Sequence, residues 1–404
     1  MIGSVGRRPR GECISEARVL HLPTTTGGNP QSLSRHLQTV GVSSRSLAVR
    51  QNTFGYESDA FLGGAHTSRI LLELRRFFAL RYLFRHEVIF FNSGRTLFAP
   101  MTSPVRGPTF RRYLVRAYSV IHSIVQRFEL LVLRWRRVVI LVQYQGDDAR
   151  QGGFCRANFG LSPADAVGPD YYDDRSDDLK RKQIELLDRY CSRIYALNPD
   201  LLHVLPSRAE FLPYSHISLD KWTPHYTQME ARPLRVGHAP THRGVKGTAH
   251  VLEAADELRR RGHEFELVLI EGLSNMDAKA LYEQVDVLVD QLFAGWYGGL
   301  AVELMALGKP VVAYIRDGDL DRIPEGMRAE LPIVRAEPSS IVDVLESLIT
   351  RPRSDLVALG KRSRAYVERW HDPTVIAQRI KDDIEAELAA RHSPRSRRRS
   401  RSVN

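Results

Sequence analysis

The sequence predicts an α/β protein built from two doubly wound parallel-sheet domains that face each other across a cleft. Three observations carry this expectation. Short β-branched runs alternate with helical segments along most of the chain, at the spacing of parallel crossovers. A polar stretch with two prolines, "KWTPHYTQMEARP" (221–233), breaks the rhythm, which then restarts. Each half also has its own glycine-rich turn from strand to helix.

The elements follow in order. "ARVLHLP" (17–23) reads as a buried strand, and "TTTGGNPQSLSRHLQTVG" as a glycine-rich turn opening a helix. "SRSLAVR" (44–50), "EVIFFN" (87–92) and "RVVILVQYQG" (137–146) are further buried strands. "SRIYALNP" and "AEFLPYS" add a short strand and a strand-like approach to the hinge. After the break, strands are expected at 234–240, 264–272, 285–291 and 310–315, with helices between them. The resulting division is a disordered start (1–16), an N-terminal domain (17–222), a linker (223–233) and a C-terminal domain (234–366). A closing helix (367–389) and a disordered, arginine-rich tail (390–404) complete it.

With 404 residues, 43% hydrophobic and 26% charged, the chain can form two sizeable cores. Three scattered cysteines, Cys13, Cys155 and Cys191, have no metal-ligand spacing and suit a reducing, cytoplasmic location. "MIGSVGRRPRGEC" is followed by no apolar core, so no signal peptide is expected, and no run is apolar enough for a membrane span.

The net charge of +11 is unevenly placed. Residues 68–140 hold fourteen Arg and three acids, and residues 391–404 hold six Arg and no acid. In "RRYLVRAYSVIHSIVQRFELLVLRWRR", Arg112, Arg116, Ser123, Arg127 and Arg134 share one helical stripe. Tyr113, Val120, Ile121, Ile124, Phe128 and Leu131 lie off it. This pattern fits either a core-facing helix with a solvated basic face or an interfacial helix on an anionic membrane. An anionic membrane surface, reached through residues 68–140 as a peripheral attachment on the inner face of the cell membrane, is therefore an expected partner. Specific nucleic-acid binding is not expected, the arginine-rich tail being the one feature that favours it.

Two stretches carry candidate chemistry. In "HAPTHRGVKGTAHVLEAADEL" (238–258), Arg243 and Lys246 sit between a strand and a helix start, flanked by Gly244 and Gly247. A helix N-terminus attracts anions, the two side chains add full charges, and the glycines allow close backbone approach. A diphosphate would use all of this; the alternative is a solvated basic loop. In "DQLFAGWYGGLAVELMALGKPVV" (290–312), Gly298 and Gly299 precede a helix whose one acid, Glu303, is expected on its first turn. Glu303 either offsets the helix dipole or accepts hydrogen bonds from a ribose diol. Asp147–Asp148 and Asp173–Asp174 lack the further ligands a metal cage needs, and no metal is expected. His238 and His242 likewise lack a zinc-like partner set.

Together these stretches resemble the donor half of GT-B glycosyltransferases, in particular the retaining enzymes of glycosyltransferase family 4. Arg243 and Lys246 match that family's basic pair, and Glu303 matches the second of its two glutamates. The first is replaced here by Gly295. The neighbouring "DQLFAGWYG" looks like a variant in which Asp290, Trp296 and Tyr297 crowd the same place. In the first half, "HLPTTTGGNP" resembles the family's glycine-rich first loop, which implies that Gly27 and Gly28 lie at the cleft. "YQGDDARQG" (144–152) resembles its H-G-x-D-x-R loop, with Gln145 in place of His and with Asp148 and Arg150 on the matching positions. "RWHDPTVIAQRIKDDIEAEL" resembles the helix that returns to the first domain.

The resemblance implies two Rossmann-like domains and metal-independent transfer of a sugar, with retention, from a nucleotide-sugar donor to a glycan or lipid-linked acceptor. The nucleotide sugar is a co-substrate, and no cofactor is implied. Arg243, Lys246 and Glu303 are the expected catalytic residues. Gly244, Gly247, Glu271, Asp290, Tyr297, Gly298 and Gly299 are expected at the donor nucleotide, and Gly27, Gly28, Gln145, Asp148 and Arg150 on the acceptor side. The rival readings are a nucleotide-sugar epimerase and a non-catalytic GT-B partner subunit, the latter favoured by Gly295.

Overall fold

The computed structural model describes residues 18–51, 55–64, 66–100, 109–168, 171–227, 232–273 and 275–392. The expected ends, 1–16 and most of 390–404, lie outside these residues, as does part of the linker.

The N-terminal domain is a seven-stranded sheet in the order β3-β2-β1-β4-β5-β6-β7, with every pairing parallel. Its strands are β1 (Val19–Leu22), β2 (Ser44–Arg50), β3 (Ala60–Gly63), β4 (Val88–Asn92), β5 (Val139–Tyr144), β6 (Arg193–Ala196) and β7 (Glu210–Phe211). The crossover helices are α1 (Asn29–Thr39), α2 (Arg69–Leu83), α3 (Thr109–Trp135), α4 (Gly152–Asn158) and α5 (Asp174–Asp188). The central strands β4 and β5 have no solvent-accessible side chain. Helices cover both faces of such a sheet, so unbroken apolar runs replace alternation. Each fully buried Val, Ile, Leu or Phe contributes about 1.5–3 kcal/mol.

The C-terminal domain is a five-stranded parallel sheet in the order β12-β11-β10-β8-β9. Its strands are β8 (Leu234–His238), β9 (Phe265–Leu269), β10 (Val287–Val289), β11 (Val311–Ala313) and β12 (Val334–Arg335). Its helices are α6 (Arg243–Lys246), α7 (Thr248–Arg260), α8 (Asn275–Tyr282), α9 (Gly299–Ala306), α10 (Glu325–Ala329), α11 (Ile341–Thr350) and α12 (Arg353–Trp370).

The last helix, α13 (Pro373–His392), crosses back to the first domain. Tyr195 donates to Asp383 at 2.8 Å, Arg193 pairs with Glu387 at 2.9 Å, and Lys381 donates to the Val40 carbonyl at 2.9 Å. A second bridge crosses the cleft rim, where His203 meets Asp319 at 2.8 Å and Arg316 donates to the Leu161 carbonyl at 2.9 Å. The carboxyl ends of both sheets therefore face one another, the position where open α/β sheets bind ligands.

Candidate functional site

A cleft of about 980 Å³ lies between the domains. Its N-terminal wall includes Gly27, Ser93, Arg95, Gln145, Asp148 and Arg150. Its C-terminal wall includes Lys246, Glu271, Gly298, Gly299 and Glu303. Residues from the strand-to-helix turns of both sheets thus share one cavity.

On the C-terminal wall the organising group is Asp290, just after β10 and buried. It accepts Lys246 Nζ at 2.6 Å on one oxygen and the Gly298 N–H at 2.7 Å on the other. One carboxylate thereby aims the lysine and fixes the turn that opens α9. Asp290 is a positioning residue behind the wall rather than part of it. A Cβ at Gly298 would sit 3.3 Å from both Lys246 Nζ and Asp290 Oδ2, so glycine keeps that turn uncrowded.

Glu303 is the fifth residue of α9, one turn deeper than the expected first turn. It is 5% exposed and faces the cleft, where the ring of His216 stands 3.4 Å from its Oε1. Both ring nitrogens of His216 lack a hydrogen-bond partner among the described residues. A buried carboxylate beside an imidazole with spare hydrogen-bonding capacity suits a ligand hydroxyl, which donates to one and accepts from the other.

The basic pair divides. Lys246 faces the cleft, while Arg243 is exposed and forks onto Glu271 through contacts of 2.9 and 2.6 Å. That hydrogen-bonded pairing holds the Glu271 carboxyl below its ordinary range and the Arg243 guanidinium above its own. Arg243 is therefore a rim residue, restrained by a cleft-lining acid. Gly244 and Gly247 each have a backbone role. A Cβ at Gly244 would meet the Ala166 carbonyl of the other domain at 2.6 Å, and Gly247, with φ +76°, is the left-handed link between α6 and α7.

Tyr297, expected at the donor nucleotide, does not line the cleft. It is fully buried and points at the C-terminal helices, with its hydroxyl 3.0 Å from Tyr366 Oη and 2.9 Å from His371 Nε2. Trp296 stacks on it. These aromatic rings complete the core under α12 and leave the cleft to the glycines that follow. Gly295, where the resembling family has its first glutamate, has φ +77°, and a Cβ there would lie 2.5 Å from Arg316 Nη1. The Arg316 guanidinium fills that space, fixed by Asp319 at 2.7 Å and lying over the Phe159 ring.

On the N-terminal wall, Gly27 lines the cleft, whereas Gly28 is buried under Tyr56, which a Cβ would touch at 3.0 Å. Asp148 closes its own loop by accepting the Gln145 N–H at 3.0 Å and the Gly146 N–H at 2.7 Å. Burial holds its carboxyl above the ordinary range, with those two bonds opposing. The guanidinium of Arg150 is committed to Asp200 at 2.7 Å and Asp147 at 2.9 Å. Burial alone would lower it, but the Asp200, Tyr172 and Asp147 groups drive it well above its usual value. Burial would likewise raise Asp147, and Arg150, Tyr172 and Tyr171 outweigh that. Asp148 and Arg150 thus shape the wall rather than offering free charges. Asp173 caps α5 through the Ser176 N–H, and His238 is buried between Val289 and Thr248.

Arg95 is a feature the sequence did not single out. It follows β4, lines the cleft, and makes no side-chain hydrogen bond or ion pair among the described residues. Burial depresses its guanidinium below the usual range, with Asp148 opposing. It carries an uncommitted positive charge on the N-terminal wall of the cleft. Neither Arg95 nor His216 belongs to a recognisable spacing; each is a lone residue on a loop that the domain arrangement brings inward.

No family model matches the chain, and no curated protein does. Solved structures do. The chain is similar to sucrose-phosphate synthase from Thermosynechococcus elongatus, at 12% identity over 92% of this chain and 99% of that one, with a TM-score of 0.58. It is similar to HepE from Anabaena in complex with UDP-glucose, at 11% identity over 91% and 99%, with a TM-score of 0.56. An alpha-glucosyltransferase in complex with UDP-glucose and DNA matches at 10% identity over 91% and 98%, with a TM-score of 0.57. The fold is that of the GT-B glycosyltransferases.

Proposed function

We propose that this chain transfers a sugar from a nucleoside-diphosphate sugar to a hydroxyl acceptor, a glycan or a lipid-linked one. The observation that carries this reading is the Lys246–Asp290–Gly298 arrangement, which sets a cation and the N-terminus of α9 side by side at the cleft. That pairing suits an anion on which charge grows. As the bond from the anomeric carbon to the diphosphate oxygen breaks, fixed positive groups stabilise the departing oxygen without reorganising. Glu303 and His216 hold the ribose hydroxyls, and Arg243 stands at the rim with its charge balanced by Glu271. The reading needs no metal, because the protein supplies the cationic groups itself. Retention of the anomeric configuration follows from the family resemblance. A cytoplasmic location goes with the donor and with buried free Cys155 and Cys191.

UDP-glucose is the first donor to test, since it occupies two of the structures this fold resembles. Following UDP release and the anomeric proton signal with a panel of hydroxyl acceptors tests the reading. Glycoside formed with the donor's configuration supports it. Free epimerised sugar nucleotide indicates an epimerase. Binding without turnover indicates the non-catalytic partner, which is favoured specifically by Arg316 occupying the space beside Gly295.

A further inference from the structure

Helix α3 carries an apolar face that is turned to solvent. Phe110, Ile121, Ile124, Phe128 and Trp135 recur on one face and are between 56% and 80% exposed. The face turned to the sheet buries Leu130 and Leu133 together with His122, Gln126 and Glu129. A water-facing helix keeps its apolar residues inward; this 27-residue helix shows a second apolar face outward, from Phe110 to Trp135. Helix α2 buries Leu72, Ala79 and Leu83 and likewise exposes Ile70, Leu74 and Phe78. The two helices are joined side by side, since Tyr118 donates to Glu73 at 2.8 Å and His122 lies 3.2 Å from the same carboxylate. Together they form one broad apolar surface, of the kind that marks an interaction site.

Its charge decides the occupant. Arg69, Arg81, Arg85, Arg116, Arg127 and Arg134 are exposed on these helices or at their ends. None of the three acids in the segment offsets them. Glu73 is held by Tyr118 and His122, Glu129 is buried under the Leu97 and Phe98 N–H groups, and Glu87 pairs with Arg18. A second copy of the chain docked here would set arginine against arginine with no carboxylate between. No described helix is long and apolar enough to cross a membrane. We propose that α2 and α3 form a docking face that lies flat on an anionic lipid bilayer. The rings and aliphatic chains enter the headgroup boundary while the arginines meet lipid phosphates.

This inference uses no residue of the donor site and does not rest on the sugar-transfer reading. It does bear on the acceptor wall. The loop after β4, which carries Ser93 and Arg95, is pinned to α3 by Glu129 and packs through Phe98 on Phe77 of α2, with ring centres 5.0 Å apart. A bilayer on this face would lie next to the segment that shapes the acceptor side.

Vesicle co-sedimentation of the full chain tests the proposal. Binding to phosphatidylcholine vesicles containing phosphatidylglycerol is expected at low salt, with little to phosphatidylcholine alone and release at 1 M salt, where the Debye length shrinks to about 3 Å. The variants R116E/R127E and I124D/F128D, all at exposed positions, should each lower partitioning at least about tenfold while melting like the wild type. Wild type remaining in the supernatant, or I124D/F128D binding unchanged, would overturn it. So would a wild-type dimer that I124D/F128D converts to monomer, because the face would then be a self-association surface.

Discussion

Lys246, at the cleft, and the buried Asp290 form an ion pair of 2.6 Å, and the same carboxylate secures the turn that opens α9. Removing the buried carboxylate leaves Lys246 and the Gly298 N–H without their acceptor, at a cost of about 1–3 kcal/mol. Asp290→Ala should therefore lower the urea midpoint clearly while Gly299→Ala barely shifts it. An unchanged midpoint for Asp290→Ala would mean that water already screens the pair.

Gly295 cannot simply be returned to glutamate. A non-glycine residue at positive φ costs about 1–2 kcal/mol, and the new side chain meets the Arg316 guanidinium. Gly295→Glu should destabilise the protein, and Arg316→Ala in the same chain should recover part of the loss. A thermal-melt double-mutant cycle with no coupling would show that the two positions are independent.

Glu129 gives stability a pH dependence. Burial pushes its carboxyl up to about 7, although the Leu97 and Phe98 N–H groups oppose this. The folded state thus holds a proton that the unfolded state releases near 4.5. This contribution is fully present below about pH 4.5 and is lost as pH rises through 7, a fall on the order of 3 kcal/mol. Glu129→Gln should flatten stability between pH 5 and 7 relative to wild type. Parallel curves for the two proteins would contradict the assignment.

Much of the fold was legible because central parallel strands are continuous apolar runs. Thus "EVIFFN" and "RVVILVQYQG" contain β4 and β5. β3 and β12 were not, being short and lacking a β-branched run. At the site, Lys246, Gly298 and Glu303 were readable because each lies in a strand–turn–helix context. Tyr297 was misplaced because sequence does not reveal which way an aromatic beside a glycine pair turns. Core packing against Tyr366 and His371 decided it. Arg150 looked available until its buried partner Asp200, far along the chain, came beside it. The apolar residues of α3 were visible, but whether they faced core or solvent was a tertiary fact.

Turnover should survive chelation. Lys246, its charge partly offset by Asp290, and the α9 N-terminus already present N–H donors where the diphosphate would sit. A glycosyl-transfer assay in EDTA should run at the untreated rate. Complete loss restored by Mg²⁺ or Mn²⁺ would show that the charge stabilisation comes from elsewhere.

The central claim is that the cleft binds a nucleoside-diphosphate sugar through Lys246 and Glu303, and calorimetric titration of UDP-glucose and UDP tests it most directly. A charge-assisted hydrogen bond contributes about 1.5–3 kcal/mol, so Lys246→Ala should weaken both ligands by roughly tenfold to a hundredfold. Glu303→Ala should weaken them by about tenfold, while Arg95→Ala on the opposite wall leaves them unchanged. Wild-type protein that binds neither these ligands nor any other nucleoside diphosphate sugar, or variants that bind as tightly as wild type, would contradict the account.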